Sequence, residues 1–286
     1  MPVVAVSTLK AAVIGHPISH SKSPRLHNAA YHWLGLQIDY RAIDLAPSEL
    51  AGFIAELRAE PGWLGLSVTM PHKAAIRAQM DELDQLAAAL GVLNTVRVTS
   101  EGALKGSNTD VIGIVKALNH AGYRGQASGA PAPVVLGGGG TALAVLAALG
   151  QLGATAVELY LRDPGKAEAL TPVAESLGVQ LRTRPLTSVS EARPELLIST
   201  LPPHGADQLA PAISPVPGGY LLDVVYDPWP SELARRWQLG GGTVVSGLEM
   251  LLYQAVEQVE IFTDSVIQDR TGLVNVMCDS IGLPRR

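Results

Sequence analysis

Residues 134–150, VVLGGGGTALAVLAALG, leave this chain few folds to choose from. A short apolar run stops at four glycines and resumes as an alanine-rich stretch, which reads as strand, tight turn and helix. Gly137, Gly139 and Ala142 stand in GxGxxA spacing. Backbone without Cβ lets a pyrophosphate lie against the N–H groups of a helix start, where the dipole also favours negative charge. Gly137, Gly138, Gly139, Gly140, Thr141 and Ala142 are therefore the candidate cradle for a dinucleotide. Glycine corners also occur where nothing binds; the strand before and the helix after favour the nucleotide reading.

Further strands are expected at Val157–Leu161, Leu196–Ser199, Tyr220–Val224 and Thr243–Val245, completing a doubly wound sheet. The strand that should end beside the adenosine ribose reads VELYLRDPGKAEAL and closes on Leu161. An acid there would take the ribose 2′-hydroxyl and favour NAD, whereas an arginine would pair with a 2′-phosphate and favour NADP. Arg162 and Lys166 favour NADP, and Asp163 keeps NAD as the alternative. The same two cations would also suit a solvated helix start.

The first third has another rhythm. AAVIG (11–15), IDYRAID (38–44) and GWLGLSV (62–68) read as strands, separated by the helical PRLHNAAYHWLG and PSELAGFIAELRA, a parallel βαβ pattern. A further helix leads into GVLNTVRVTSEGALKG, two strand-like runs around a Ser100-Glu101-Gly102 turn. Ala121–Pro133, AGYRGQASGAPAP, reads as a linker or long loop. From Gly247 a long amphipathic helix, GLEMLLYQAVEQVEIF, need not pack where the chain left off. A length of 286 residues fits two domains at about 150 residues each.

Several classes of function are set aside. No apolar stretch reaches the roughly 18 to 20 residues of a membrane span. The start, MPVVAVSTLK, lacks a basic region and a small-residue cleavage pattern, so no secretory signal is expected. Cys278 is the one cysteine; it cannot form an internal disulfide and fits a reducing cytoplasm as a buried small hydrophobe. The balance of 21 basic against 26 acidic residues, net −5 and without long runs, argues against a nucleic-acid surface. His16 and His20 share a proline-containing loop with no third ligand pattern, so no metal is expected.

The polar positions of the first region are harder to dismiss. In LGLSVTMPHK, Lys73 falls in the first turn of a helix, where a cation is disfavoured by roughly 0.3 to 1 kcal/mol. Ser21 and Ser23, in GHPISHSKSP, precede a helix start suited to receiving a carboxylate. Asn94 interrupts an apolar segment, and Asn108, Thr109 and Asp110 precede another helix, where Asp110 alone would read as an N-cap.

Taken together, SHSKSP, SVTMPHK, NTV, GSNTDVIG, GGGGTA, DVVYDPWPSEL and GLEMLLYQA resemble the shikimate dehydrogenase family in order and spacing, from about Ala12 to Phe262. The resemblance implies an α/β substrate-binding and catalytic domain at 1–110 and 247–286, completed by C-terminal helices. It implies a Rossmann-like NADP-binding domain at 111–246. It further implies reversible NADPH-dependent reduction of 3-dehydroshikimate to shikimate, a cytoplasmic step in aromatic amino-acid biosynthesis, by a monomer or homodimer. Carried over by position, Ser21 and Ser23 hold the substrate carboxylate with help from Tyr226. Thr69, Asn94, Asp110 and Gln254 bind ring hydroxyls, Lys73 and Asp110 form the catalytic pair, and Thr200 and Gly247 line the cofactor. The chain departs from the family's usual residues at Ser67 and Leu161, both commonly Asn, and at Phe262–Asp264, commonly Trp-Thr-Gly. A quinate or quinate/shikimate dehydrogenase using NAD is the alternative enzyme. A non-catalytic ligand sensor is the alternative of another class, disfavoured because Lys73 and Asp110 are both present.

Overall fold

The computed structural model describes residues 9–286. Residues 1–8, on which the reading of the N-terminus rests in part, lie outside the described residues. The chain divides into two compact units, one taking the residues up to Thr109 and again Gln254–Arg286, the other taking Asp110–Tyr253.

The first unit contains β1 (Leu9–Gly15), α1 (Ser23–Trp33), β2 (Ile38–Asp44), α2 (Leu50–Ala59), β3 (Trp63–Val68), α3 (His72–Ala75), β4 (Glu82–Leu83), α4 (Gln85–Leu90), β5 (Thr95–Val98) and β6 (Leu104–Ser107). Its six-stranded sheet has the order β2-β1-β3-β5-β6-β4. The parallel pattern read from the sequence for β1, β2 and β3 holds; β4 pairs in parallel with β6, and β5 runs antiparallel to both β3 and β6. The short Ser100-Glu101-Gly102 connection is the reason, because a few residues can close a hairpin but cannot make a crossover. Ile14, Ile54, Leu66, Ile76, Leu93, Val96 and Leu104 form the core on one face.

The second unit follows with α5 (Asp110–His120), β7 (Val134–Leu136), α6 (Gly140–Gln151), β8 (Ala156–Leu161), α7 (Ala167–Ser176), β9 (Gln180–Pro185), β10 (Leu196–Ser199), β11 (Tyr220–Asp223), α8 (Glu232–Leu239), β12 (Thr243–Ser246) and the start of α9 (Gly247–Thr263). Every strand pair in its sheet is parallel, and the order is β12-β11-β10-β7-β8-β9. The order reverses between β7 and β10, the switch point of a doubly wound Rossmann-like sheet. Strand β9, QLRTRP, is almost wholly exposed at the sheet edge, which is why no apolar alternation announced it.

Two expectations change. The Ala121–Pro133 segment is a loop stitched into the second unit: Tyr123 is buried edge-on against Tyr220 at 5.4 Å, and the Gln126 N–H donates to the Leu152 carbonyl at 2.7 Å. It is not a linker between units. Helix α9 is continuous across the division at Tyr253/Gln254, whereas the sequence suggested a change at Gly247. A last helix, α10 (Arg270–Ile281), packs against α1 in the first unit.

Candidate active site

Strand direction gathers the sequence-predicted residues of the first unit at one sheet edge. β1 and β3 are parallel neighbours, so the loop bearing Ser21 and Ser23 and the turn bearing Thr69 leave from the same end. There the Thr69 N–H donates to Ile14 O and the His16 N–H to Met70 O, both at 3.0 Å. A Cβ on Gly15 would stand 2.5 Å from the Thr69 methyl, so this crossing needs glycine. Because β5 and β6 each reverse direction, the start of β5 and the end of β6 return to that edge, bringing Asn94, Asn108 and Thr109 with them. Lys73 is the second residue of α3, and its carbonyl accepts from the Leu93 N–H at 2.9 Å. The helix has only four residues, so it carries little of a macrodipole and the penalty anticipated for the lysine shrinks.

Helix α9 covers this edge with a stripe spaced four residues apart: Gln254, Gln258 and Phe262. The Phe262 ring lies over Gly65, where a Cβ would stand 2.5 Å from the ring and 2.4 Å from Val96 O. Asp264, beyond the helix, takes φ +51° and pairs with Arg97 at 2.6 Å. Gln254 accepts from the Asn94 amide at 3.1 Å. Gln258, with no exposed surface, donates to the Asn94 carbonyl at 3.1 Å and to Thr95 Oγ1 at 3.0 Å. Its own oxygen accepts from Ser67 at 2.7 Å, and Ser67 accepts from the Tyr40 hydroxyl at 2.7 Å.

Those donors fix the rest by elimination. Since Gln258 Oε1 must accept, His27 Nε2, 3.3 Å away, carries the proton, and Nδ1 accepts from the Tyr31 hydroxyl at 3.1 Å. Burial pushes the His27 pKa down to about 3, with the Gln258 hydrogen bond opposing, so the ring is neutral at working pH. It stacks on Tyr40 at 4.0 Å, and burial raises the Tyr40 pKa while hydrogen bonds to Ser67 and Ser23 oppose. Thr95 donates to Asn94 Oδ1 at 2.9 Å, the Thr109 N–H donates to the same oxygen at 2.7 Å, and Asn94 Nδ2 donates to Thr109 Oγ1 at 3.0 Å. Ser21 Oγ accepts from the Ser23 N–H at 3.3 Å at the start of α1.

In the second unit the glycines divide three tasks. Gly137 takes φ +96°, and a Cβ there would stand 2.7 Å from Thr200 Oγ1. At Gly138 a Cβ would meet Leu161 at 2.7 Å and Leu170 at 3.1 Å, so its bareness lets the start of α6 press on β8 and α7. Gly139 has no such neighbour within 4 Å: its side is open. Turn, close packing and open approach are the three demands that a pyrophosphate loop makes of its glycines. Gly140, Thr141 and Ala142 form the first turn of α6. Thr200 follows β10 on the far side of β7 and donates through both N–H and Oγ1 to Leu136 O at 2.8 Å.

On the near side, the Gly137 N–H donates to Tyr160 O at 3.0 Å, which sets exposed Arg162 two residues past that contact. Lys166 Cβ is 3.3 Å from the position a Cβ on Gly138 would take. Asp163 Oδ1 accepts from the Gly165 N–H at 3.0 Å and so caps its own turn. Gly247 has a packing reason for its identity, since a Cβ would stand 2.1 Å from Val224 O. Asp110 is the first residue of α5 and buried, and Tyr226 is half-buried in the loop after β11. Buried Asp223 ties that loop: it accepts from Ser231 at 2.6 Å and from the Val225 N–H at 3.3 Å. Burial raises its pKa, with the Ser231 hydrogen bond opposing.

Sequence reasoning missed His27, Tyr40, Thr95 and Gln258. Only Gln258 carried a signal, its spacing of one helical turn from Gln254. No helix among the described residues is long and apolar enough to cross a membrane.

Comparison with known proteins agrees with this layout. The shikimate dehydrogenase substrate binding domain matches residues 13–96, and the shikimate 5′-dehydrogenase C-terminal domain matches residues 247–266. The shikimate dehydrogenase (NADP(+)) of Rubrobacter xylanophilus is 38% identical over 92% of this chain and 93% of its own. The crystal structure of Mycobacterium tuberculosis shikimate dehydrogenase superposes with a TM-score of 0.81 at 37% identity, covering 95% of this chain and 99% of the other. That of the Thermus thermophilus enzyme, in complex with NADP(H) and shikimate, gives 0.77 at 32% identity, with coverage of 95% and 99%. With glycine cradle, sheet-edge polar groups and near full-length similarity in agreement, the chain belongs to the shikimate dehydrogenase family.

Proposed function

We propose that the chain catalyses the reversible NADPH-dependent reduction of 3-dehydroshikimate to shikimate, in the cytoplasm and as a monomer or homodimer. The observation that carries this reading is the sheet edge of the first unit, where Ser21, Ser23, Thr69, Lys73, Asn94 and Gln254 converge on hydroxyl- and carboxylate-binding chemistry. The glycine cradle, with Arg162 and Lys166 beside it, fits an NADP pyrophosphate and 2′-phosphate; Asp163 is occupied as a cap, which weakens the case for NAD. Bound there, the dihydronicotinamide ring supplies a hydride.

The chain's own residues supply the rest. Ser21 and Ser23, at the start of α1, hold the ring carboxylate with Tyr226, while Thr69, Asn94, Asp110 and Gln254 take the ring hydroxyls. Lys73 holds the proton that passes to the carbonyl oxygen as it becomes an alkoxide, and takes it back in the reverse direction. Asp110 is the second member of the catalytic pair. Thr200 and Gly247 line the cofactor.

The test is the rate of reduced-nicotinamide formation with shikimate or quinate against NADP or NAD. Shikimate with NADP is expected to be fastest. Quinate with NAD faster by an order of magnitude would replace this reading with the alternative enzyme, and no turnover with any pair would leave a ligand sensor.

A further inference from the structure

Gln258 lies one turn beyond Gln254 on α9, is fully buried, and spends both amide hydrogens and its oxygen on four different groups. Two of them, Ser67 and Thr95, are directly opposed on β3 and β5. A glutamine in such a place is not needed for packing alone, since an apolar side chain of similar volume would fill the space. What the amide adds is direction. By donating to Thr95 Oγ1 it turns the Thr95 proton away from α9, towards Asn94 Oδ1 at 2.9 Å, with Thr109 Oγ1 at 3.1 Å the other acceptor in reach. By donating to the Asn94 carbonyl it also holds the peptide that carries the side chain.

We propose that Gln258 is a positioning residue for substrate recognition, holding through Thr95, together with the Thr109 N–H, the way the Asn94 carboxamide faces. A carboxamide turned by half a rotation exchanges donor for acceptor without changing shape. Losing this control therefore weakens polar recognition of the ring hydroxyls while leaving the fold's packing nearly as it was. The proposal rests on the reading of Asn94 as a ligand of the substrate.

Three variants test it. Gln258→Glu has nearly the same shape but carries at most one proton where the amide carries two, so it cannot serve both Thr95 and the Asn94 carbonyl. Gln258→Met keeps the volume and removes every hydrogen bond. Thr95→Val removes the relay itself. Steady-state kinetics with shikimate and NADP, run beside thermal unfolding, should show the shikimate KM rising about tenfold in all three. The NADP KM should stay within twofold of wild type. In the Thr95→Val background, Gln258→Glu should raise the KM by a smaller factor than it does alone, because part of its effect runs through Thr95.

A shikimate KM unchanged in the variants, whatever happens to the melting temperature, would reduce Gln258 to a structural role and overturn the proposal. So would KM values for both substrates rising together, or effects that multiply independently. Should the Gln258 variants fail to fold, Thr95→Val alone decides by the same KM criterion. A wild-type protein that does not turn over shikimate with NADP defeats the functional reading and this proposal with it, whereas normal wild-type turnover with variants like it defeats only the positioning role.

Discussion

At Gly139, in the second unit, a Cβ would find no neighbour within 4 Å; at Gly65, in the first, it would find Val96 O at 2.4 Å and the Phe262 ring at 2.5 Å. One glycine leaves the space beside it open and the other has its space filled by the protein. The same contrast runs through both units. The second, on the proposed reading, meets an anionic cofactor with bare backbone at the end of a parallel sheet, a device written in one short segment. The first, on the proposed reading, meets a polar ring with side chains held in a buried web, whose partners come from α1, β2, β3, β5, the segment after β6 and α9. Local chemistry suffices for a phosphate, which presents the same oxygens in every nucleotide; distinguishing hydroxyls on a ring requires donors and acceptors fixed from several directions.

The sharpest way to break the comparison is to remove the chemistry from the first unit alone. Lys73→Ala should lower turnover by about 10² to 10⁴, roughly 3 to 5 kcal/mol, with modest change in shikimate affinity. An unaffected rate, measured at saturating NADP, removes the lysine from the mechanism.

Next in size is the buried web's dependence on pH. His27 has its folded pKa held near 3 by burial, far below an unfolded value of 6.5. Between those values the unfolded chain binds the extra proton, so stability falls as pH is lowered through the window. At pH 4 this one residue should cost about 3 kcal/mol relative to pH 7. Denaturant unfolding at both pH values should show that loss in the wild type and a smaller one in His27→Gln; equal losses would mean the ring is not neutral in the native state.

A paired substitution then sets the two glycines against each other. Gly65→Ala should destabilise by about 2 kcal/mol through overpacking, lowering the melting temperature by several degrees. Gly139→Ala, at φ −90° where alanine is comfortable, should leave the melting temperature unchanged and weaken NADP binding. The reverse pattern would contradict the contrast drawn above. The smallest effect is expected at Arg162→Ala, about tenfold weaker NADP binding, or 1.4 kcal/mol, with NAD little changed. Equal loss for both cofactors would refute the 2′-phosphate role.

This contrast also explains what was legible in the sequence. The glycine loop, the strand before it and the helix after it lie within 134–150, so spacing alone displayed them. Strand β9 escaped because an edge strand with both faces wet has no apolar alternation, whereas the reversal from β5 to β6 was legible in the short Ser100-Glu101-Gly102 turn. In the first unit Lys73 stood out as a cation at a helix start and Asn94 as a polar residue in apolar company. Their supports did not, since His27 reaches Gln258 across 231 positions and Ser67 reaches it across 191. A lone histidine in a helix is silent about a glutamine that far away.

The central claim is that a hydride leaves the carbon bearing the oxidised hydroxyl of shikimate and enters the nicotinamide ring. Shikimate carrying deuterium at that carbon, turned over with NADP, tests it in one experiment by mass spectrometry of the products. Deuterium recovered in the reduced nicotinamide, with a slower rate than for unlabelled shikimate when transfer limits turnover, is the predicted result. Deuterium released to water, or retained on a substrate that never reacts, would contradict the account.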